Sequence, residues 1–139
     1  DLVERYAVIS ATVTHRGVAV VGAVAYALGI ACVCNDMDVE EILDEVVGRV
    51  RKYDELIADK VELAYELLDE DVYKVVDRLG NSMSVYECVP LSFYLFFSSC
   101  SFEDCAIKSA NVGGDADSIT AMACGLKGCE VGIDGIPKK

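Results

Sequence analysis

The 139-residue sequence predicts an all-α fold, a compact orthogonal helical bundle. Three observations carry that prediction. Apolar residues recur at three- and four-residue spacing, the period of a helix with one buried stripe. Residues that end or cap helices (Asp38, Gly80, Ser101, Asp115) stand at the edges of those stripes. No segment alternates apolar and polar residues long enough to make a half-buried strand. No repeat, linker or low-complexity run interrupts the pattern, so residues 1–139 form one unit, large enough for a real core.

The first strong helix signal is the run Gly17–Cys34, eighteen residues without a charge. That is the minimal length of a membrane span. It lacks an aromatic belt and flanking positive clusters, and amphipathic segments follow it. It reads as a buried central helix, with Ala23, Ala27 and Ala31 at helical spacing to permit close packing. Over residues 38–52, Val39, Ile42, Leu43, Val46, Val47 and Val50 make one face, and Asp38 with Glu41 has the form of a capping box. Ile57, Val61, Ala64 and Leu68 make a second stripe. Val72, Val75, Val76 and Leu79 make a third, ended by Gly80. Val85–Phe97 is apolar nearly all round and too short to span a bilayer, with Pro90 placed near its first turn. Ser101 caps a helix through Ala110, and Asp115 caps the last one.

Composition narrows the partners. A net charge of −12 argues against nucleic acid and against an anionic membrane surface. The acidity concentrates in residues 36–79, where 15 acidic residues meet 6 basic ones, as on the solvated faces of surface helices. With 53% hydrophobic residues and a mean hydropathy of +0.34, the chain is more apolar than an average soluble domain, which suggests surfaces covered by further sequence. Seven cysteines in mostly apolar surroundings, with no secretory signal, fit free buried thiols in a reducing cytoplasm. Their spacings do not match structural zinc sites.

The densest chemical signal is Gly113-Gly114-Asp115-Ala116-Asp117-Ser118. Two carboxylates and a hydroxyl at a helix start are hard oxygen ligands suited to magnesium, calcium or manganese. On a helix, positions i and i+2 diverge by about 200°, so both carboxylates reach one ion only if Asp115 lies outside the helix as its cap. The alternative is a capped helix whose acidic first turn complements the dipole. A calcium EF-hand loop is excluded by Ile119 and Thr120 at its fifth and sixth positions, and Ile119 also breaks the phosphatase Asp-x-Asp-x-Thr pattern. His15 is the only histidine, so no multi-histidine metal site exists; at a helix start it is a cap, a surface residue or a ligand contact. Gly113 and Gly114 read either as the simple turn that precedes a helix or as a turn whose N–H groups donate to a substrate.

The stretch Phe102 to Gly128, with Asn111-Val112-Gly113-Gly114-Asp115-Ala116-Asp117-Ser118 at its centre, resembles the C-terminal signature of the ADP-ribosylglycohydrolase family. Ile136-Pro137, the segment Gly80 through Val85-Tyr86-Glu87-Cys88-Val89-Pro90, and Thr14-His15-Arg16 resemble further elements of that family in the same order. Ser118 stands where the family usually has threonine. The family's N-terminal Thr-Asp-Asp motif has no counterpart here, so the chain resembles the C-terminal part of a larger all-α domain.

That resemblance implies a metal-dependent hydrolase that removes ADP-ribose from a modified protein or small molecule. Two ions, Mg2+ or Mn2+, would sit between two acidic clusters, with Asp115, Asp117 and Ser118 as this chain's ligands. His15, Gly113 and Gly114 would border the ADP-ribose. The missing acidic cluster would come from an N-terminal half or a partner chain, and no general acid is assignable within these residues. The alternative is a non-catalytic ADP-ribose-binding or structural member of the same family.

Overall fold

The computed structural model describes residues 1–138 and contains, among them, eight helices and no strand. In chain order they are α1 Leu2–Thr12, α2 Val18–Val33, α3 Val39–Val50, α4 Glu55–Glu66, α5 Val72–Leu79, α6 Val85–Ser98, α7 Phe102–Ala110 and α8 Ala116–Gly135. The all-α expectation holds, and none of the described helices is long and apolar enough to cross a membrane.

The cap signals behave as local chemistry dictates. Asp38 accepts the Glu41 N–H while the Glu41 carboxylate accepts the Asp38 N–H, a complete capping box that starts α3. Asp54 and Asp71 cap α4 and α5, and Ser101 accepts the Asp104 N–H to start α7. Part of the acidic run 36–79 therefore starts helices, and most of its other carboxylates are exposed.

The centre of the bundle is α6. Residues Cys88 through Phe96 are all buried, and α2, α4, α5, α7 and α8 pack around them. Pro90 lies in the second turn, further in than expected, and forgoes one intrahelical bond to Tyr86. Its ring is buried among packed neighbours. On α2 the small residues that allow close approach are Gly22, Ala25 and Gly29, all buried, whereas Ala23, Ala27 and Ala31 are only half-buried. A Cβ at Gly22 would lie 2.5 Å from Val85 Cγ1, so α2 and α6 meet almost backbone to side chain.

Two expectations change. The sequence pattern gave no separate helix before Gly17, yet α1 occupies Leu2–Thr12. Its face Val3, Ala7 and Val8 lies against the core, and Arg49 on α3 pairs with Glu4 at 3.1 Å and with Glu45 at 2.8 Å. Tyr53 donates to Glu4 at 2.5 Å, and this bond, the largest influence, holds the Glu4 carboxyl below its usual range. α1 thus depends on contacts 45 or more residues away, which a short periodicity window does not contain. The cysteines also differ: all seven are free, but Cys34, Cys100 and Cys129 are exposed and only Cys32, Cys88 and Cys105 are fully buried. Burial first, then the neighbouring Cys124, pushes the Cys105 thiol up to about 12.

Gly29→Ala tests the packing. In an exposed helix this change gains about 1 kcal/mol of helix propensity. Here the new Cβ would stand 2.9 Å from Phe93 Cζ and 3.1 Å from Leu126 Cδ2. Overpacking costs about 1–3 kcal/mol, so the variant should melt at a lower temperature than the parent, as differential scanning calorimetry will read.

Candidate metal and ligand site

The Gly113–Ser118 segment links α7 to α8, and Asn81 holds it in place. The Asn81 side-chain amide donates to the Val112 carbonyl at 2.8 Å, and the Asn81 carbonyl accepts the Asp115 N–H at 2.8 Å. Both ends of the glycine pair are therefore tied to one residue. Gly113 and Gly114 have φ of 72° and 59°, which non-glycine residues adopt only at a cost. A Cβ on Gly114 would also overlap the Asn81 carbonyl oxygen and side chain. These glycines are required by the turn itself, and among the described residues neither N–H has a backbone acceptor.

Asn81 is in turn set by the start of α6. Glu87, in the first turn of that helix, accepts the Ser82 N–H at 2.9 Å. The Ser82 hydroxyl and then its N–H hold the Glu87 carboxyl below its ordinary value. Gly80 gives this carboxylate room, since any Cβ there would collide with it. The Lys60 ammonium donates to the Leu79 carbonyl at 3.2 Å, where it neutralises the C-terminus of α5. The Asn81 turn is thus braced from α4, α5 and α6.

Asp115 occupies the N-cap position of α8 but makes no side-chain cap bond. This departs from the expected cap, and the physical reason is its backbone. With φ −83° and ψ 49°, and its N–H given to Asn81, Asp115 lacks the extended conformation that the capping residues Asp38, Asp54, Asp71 and Ser101 share. Asp117 and Ser118 follow in the first turn and are exposed, while Asp115 is half-buried. Among the described residues no side-chain hydrogen bond or ion pair engages the Asp115 or Asp117 carboxylate or the Ser118 hydroxyl. Because Asp115 lies outside the helix, the 200° divergence of an i, i+2 helical pair does not apply.

A cavity of about 350 Å³ lies between α2, α6 and α8, reaching the turn after α1. Its walls include His15, Gly22, Tyr26, Cys88 and Met122. Met122 is four residues after Ser118 and so lies beneath it on the same face of α8. Burial first, and the charge of the Asp115 carboxylate second, push the Cys88 thiol up. Burial likewise raises the Tyr26 hydroxyl. His15 is exposed and sits in the turn between α1 and α2, with Nδ1 2.7 Å from the Thr14 hydroxyl; Gly17, not His15, starts α2. Of the candidate residues only His15 lines this mostly apolar cavity; Gly113, Gly114, Asp115, Asp117 and Ser118 do not, and α8 contributes Met122.

The oxygen set tests well against a divalent ion in kind and incompletely in number. Three hard donors stand without protein partners, but among the described residues no three His, Cys, Asp or Glu side chains gather as a metal centre. Sequence reasoning did not find Asn81. Its only local signal is a Gly-Asn pair that marks a turn, and its partner Val112 is 31 residues away.

The described residues thus form an all-α bundle in which one acidic helix start, at Asp115, is left without a side-chain cap. The chain belongs to the ADP-ribosylglycohydrolase family, whose pattern it matches over residues 1–139. It is 50% identical over 131 residues to an uncharacterized protein of Archaeoglobus fulgidus, covering 94% of this chain and 43% of that one. It is 27% identical to the mouse (Mus musculus) ADP-ribosylhydrolase ARH3, covering 98% of this chain and 45% of that one. To the ADP-ribosyl-[dinitrogen reductase] glycohydrolase of Rhodospirillum rubrum it is 33% identical over 57 residues, 41% of this chain and 19% of that one. The chain spans less than half the length of these relatives and corresponds to their C-terminal part.

Two outcomes test the brace. Gly114→Ala should cost more than about 1 kcal/mol in chemical denaturation, since a positive φ and a backbone clash add. Glu87 is lower in pKa when folded than unfolded, so its stabilisation is present above the ordinary glutamate value, about 4.3, and is lost as pH falls through the folded value. Glu87→Gln should lower stability at pH 7 and flatten the loss of stability below about pH 4.3 in urea titrations at stepped pH.

Proposed function

We propose that this chain carries one part of the active site of a metal-dependent ADP-ribosyl hydrolase, with Asp115, Asp117 and Ser118 as ligands to Mg2+ or Mn2+. The observation that supports this most is the Asp115 carboxylate, placed at a helix start yet unused as a cap. A carboxylate with no structural partner, on a segment braced by Asn81, is held for a ligand outside the protein. Family membership and the printed names of the mouse and Rhodospirillum relatives support the chemistry.

Within that reading, Asp115 and Asp117 would supply the negative charge and Ser118 a neutral oxygen. Divalent ions bound there would supply Lewis acidity toward ribose hydroxyls and water. Two carboxylates cannot balance two divalent ions, so further acidic ligands belong to sequence outside residues 1–139. The N–H groups of Gly113 and Gly114 would donate to the substrate, and His15 would border its far end across the cavity. The Gly113–Gly114 turn keeps its geometry without substrate because Asn81 fixes it, which lowers the ordering cost of binding. The substrate is an ADP-ribosylated protein or an ADP-ribose-type small molecule, and the cytoplasm is the compartment that suits seven free thiols.

A non-catalytic family member is the second reading, and the lack of any three-residue metal cluster among the described residues favours it. One experiment separates the two. The full gene product is assayed for release of ADP-ribose, beside residues 1–139 alone and beside Asp117→Asn. The hydrolase reading expects turnover by the full product, none by residues 1–139, and at least a 100-fold loss in Asp117→Asn with weaker Mn2+ binding by calorimetry. A structural role for Asp117 would change stability by only ~0.3–1 kcal/mol and leave turnover intact. Full product without turnover, or Asp117→Asn with unchanged turnover and metal affinity, rejects the assignment.

A further inference from the structure

We propose that Cys34 and Cys129 form a dithiol modification site, closed to a disulfide by low-molecular-weight disulfides such as glutathione disulfide, that clamps the end of α2 to α8. The two helices run side by side in the same direction, and three successive contacts fix their register. Gly125 of α8 lies under the Tyr26 hydroxyl, where any Cβ would collide with it. A Cβ on Gly29, about one turn later in α2, would meet Leu126 Cδ2 at 3.1 Å. Val33 and Glu130, about one further turn along both helices, wall the same cavity. The next residue of α2, its C-cap Cys34, therefore comes level with Cys129 on α8. Both thiols are free and exposed. Their pairing also shows in ionisation: burial first, and then the adjacent Cys34, raises the Cys129 thiol.

The other thiols are placed differently. Cys105 and Cys124 also adjoin, between α7 and α8, but Cys105 is buried and its thiol is pushed up to about 12, by burial first and Cys124 second. Such a thiol supplies little thiolate to an oxidant. Cys100 is exposed, but it donates to the Asp104 carboxylate at 3.6 Å rather than to a second thiol. Closure of the Cys34–Cys129 pair takes two exchanges. Because Cys129 holds its proton more tightly than an ordinary thiol, Cys34 attacks first. The Cys34 thiolate bonds to one sulfur of glutathione disulfide, breaks its S–S bond and releases one glutathione thiolate. The Cys129 sulfur, its proton lost to solvent, then bonds to Cys34 and expels the second glutathione thiolate. The dithiol loses two electrons and glutathione disulfide gains them; the two cysteine protons end on two glutathione thiols. The new bond joins residues 95 apart in sequence, so it restricts the unfolded chain strongly. It also fixes α2 against α8 along the face that brings Tyr26 to the cavity wall.

The test treats the full gene product with glutathione disulfide and maps its disulfides by non-reducing tryptic digestion and mass spectrometry. Cleavage after Lys127 separates Cys124 from Cys129, so the two pairings are told apart. The peptide with Cys34 should be joined to the peptide with Cys129. The melting temperature should rise by about 10 °C and return with dithiothreitol. Cys129→Ser should abolish the link and the rise and trap glutathione on Cys34. Cys34→Ser should abolish both as well, and Cys105→Ala should keep the link. Five results each overturn the proposal: glutathione on both cysteines without a link, a Cys105–Cys124 link in its place, a link between two chains, neither thiol modified, or a link that leaves the melting temperature unchanged. The readout involves no ADP-ribose, so a product that closes the link and hydrolyses nothing upholds the clamp and counts against the hydrolase reading alone.

Discussion

The structure is organised by the burial of α6, whose residues from Cys88 to Phe96 have no exposed face. A helix of this kind cannot rest on a surface; it must be enclosed, and the enclosing helices inherit their places from it. Burying Phe93, Tyr94 and Phe96 supplies a large share of the hydrophobic driving force, since each aromatic ring removes much apolar area from water. α2 can approach only through Gly22, Ala25 and Gly29, because larger residues there would strike Val85 and Phe93. Once α2 is seated, α1 and α3 follow along its outer side, and α8 closes the bundle across α6.

The candidate site is a consequence of that enclosure. The first turn of α6 fixes Glu87, Glu87 holds Ser82, and the adjoining Asn81 fastens the loop before α8. Three hydrogen bonds, Ser82 to Glu87, Asn81 to Val112 and Asp115 to Asn81, carry position from the packed core to an acidic turn without burying the turn itself. The carboxylates of Asp115 and Asp117 consequently keep their hydration, and the desolvation cost that accompanies buried charges does not arise. The turn is held by its backbone and by Asn81, so the Asp115 carboxylate is not used up as a cap.

The cavity has the complementary character. Its walls are chiefly alanine, glycine, valine and methionine, with the Tyr26 hydroxyl and His15 as polar points, and burial first, then the Asp115 charge, push the Cys88 thiol up.

The all-α class and seven of the eight helices were legible in the sequence, because each has its own period or cap: the Asp38–Glu41 box, the Val72–Leu79 stripe before Gly80, and the uninterrupted apolar run of α6. The acidic turn Gly113–Ser118 was legible too, because residue type and spacing alone mark hard oxygen donors at a helix start. Other features were decided only by tertiary structure. Helix α1 is secured by Arg49 and Tyr53, far along the chain. Which small residues of α2 face α6 follows from the helix's rotation, which a run hydrophobic on every side does not encode. That Asp115 leaves its cap unmade follows from a bond to Asn81, thirty-four residues earlier. Local patterns record what a segment does with its own backbone; they hold no record of which distant group will take the next hydrogen bond.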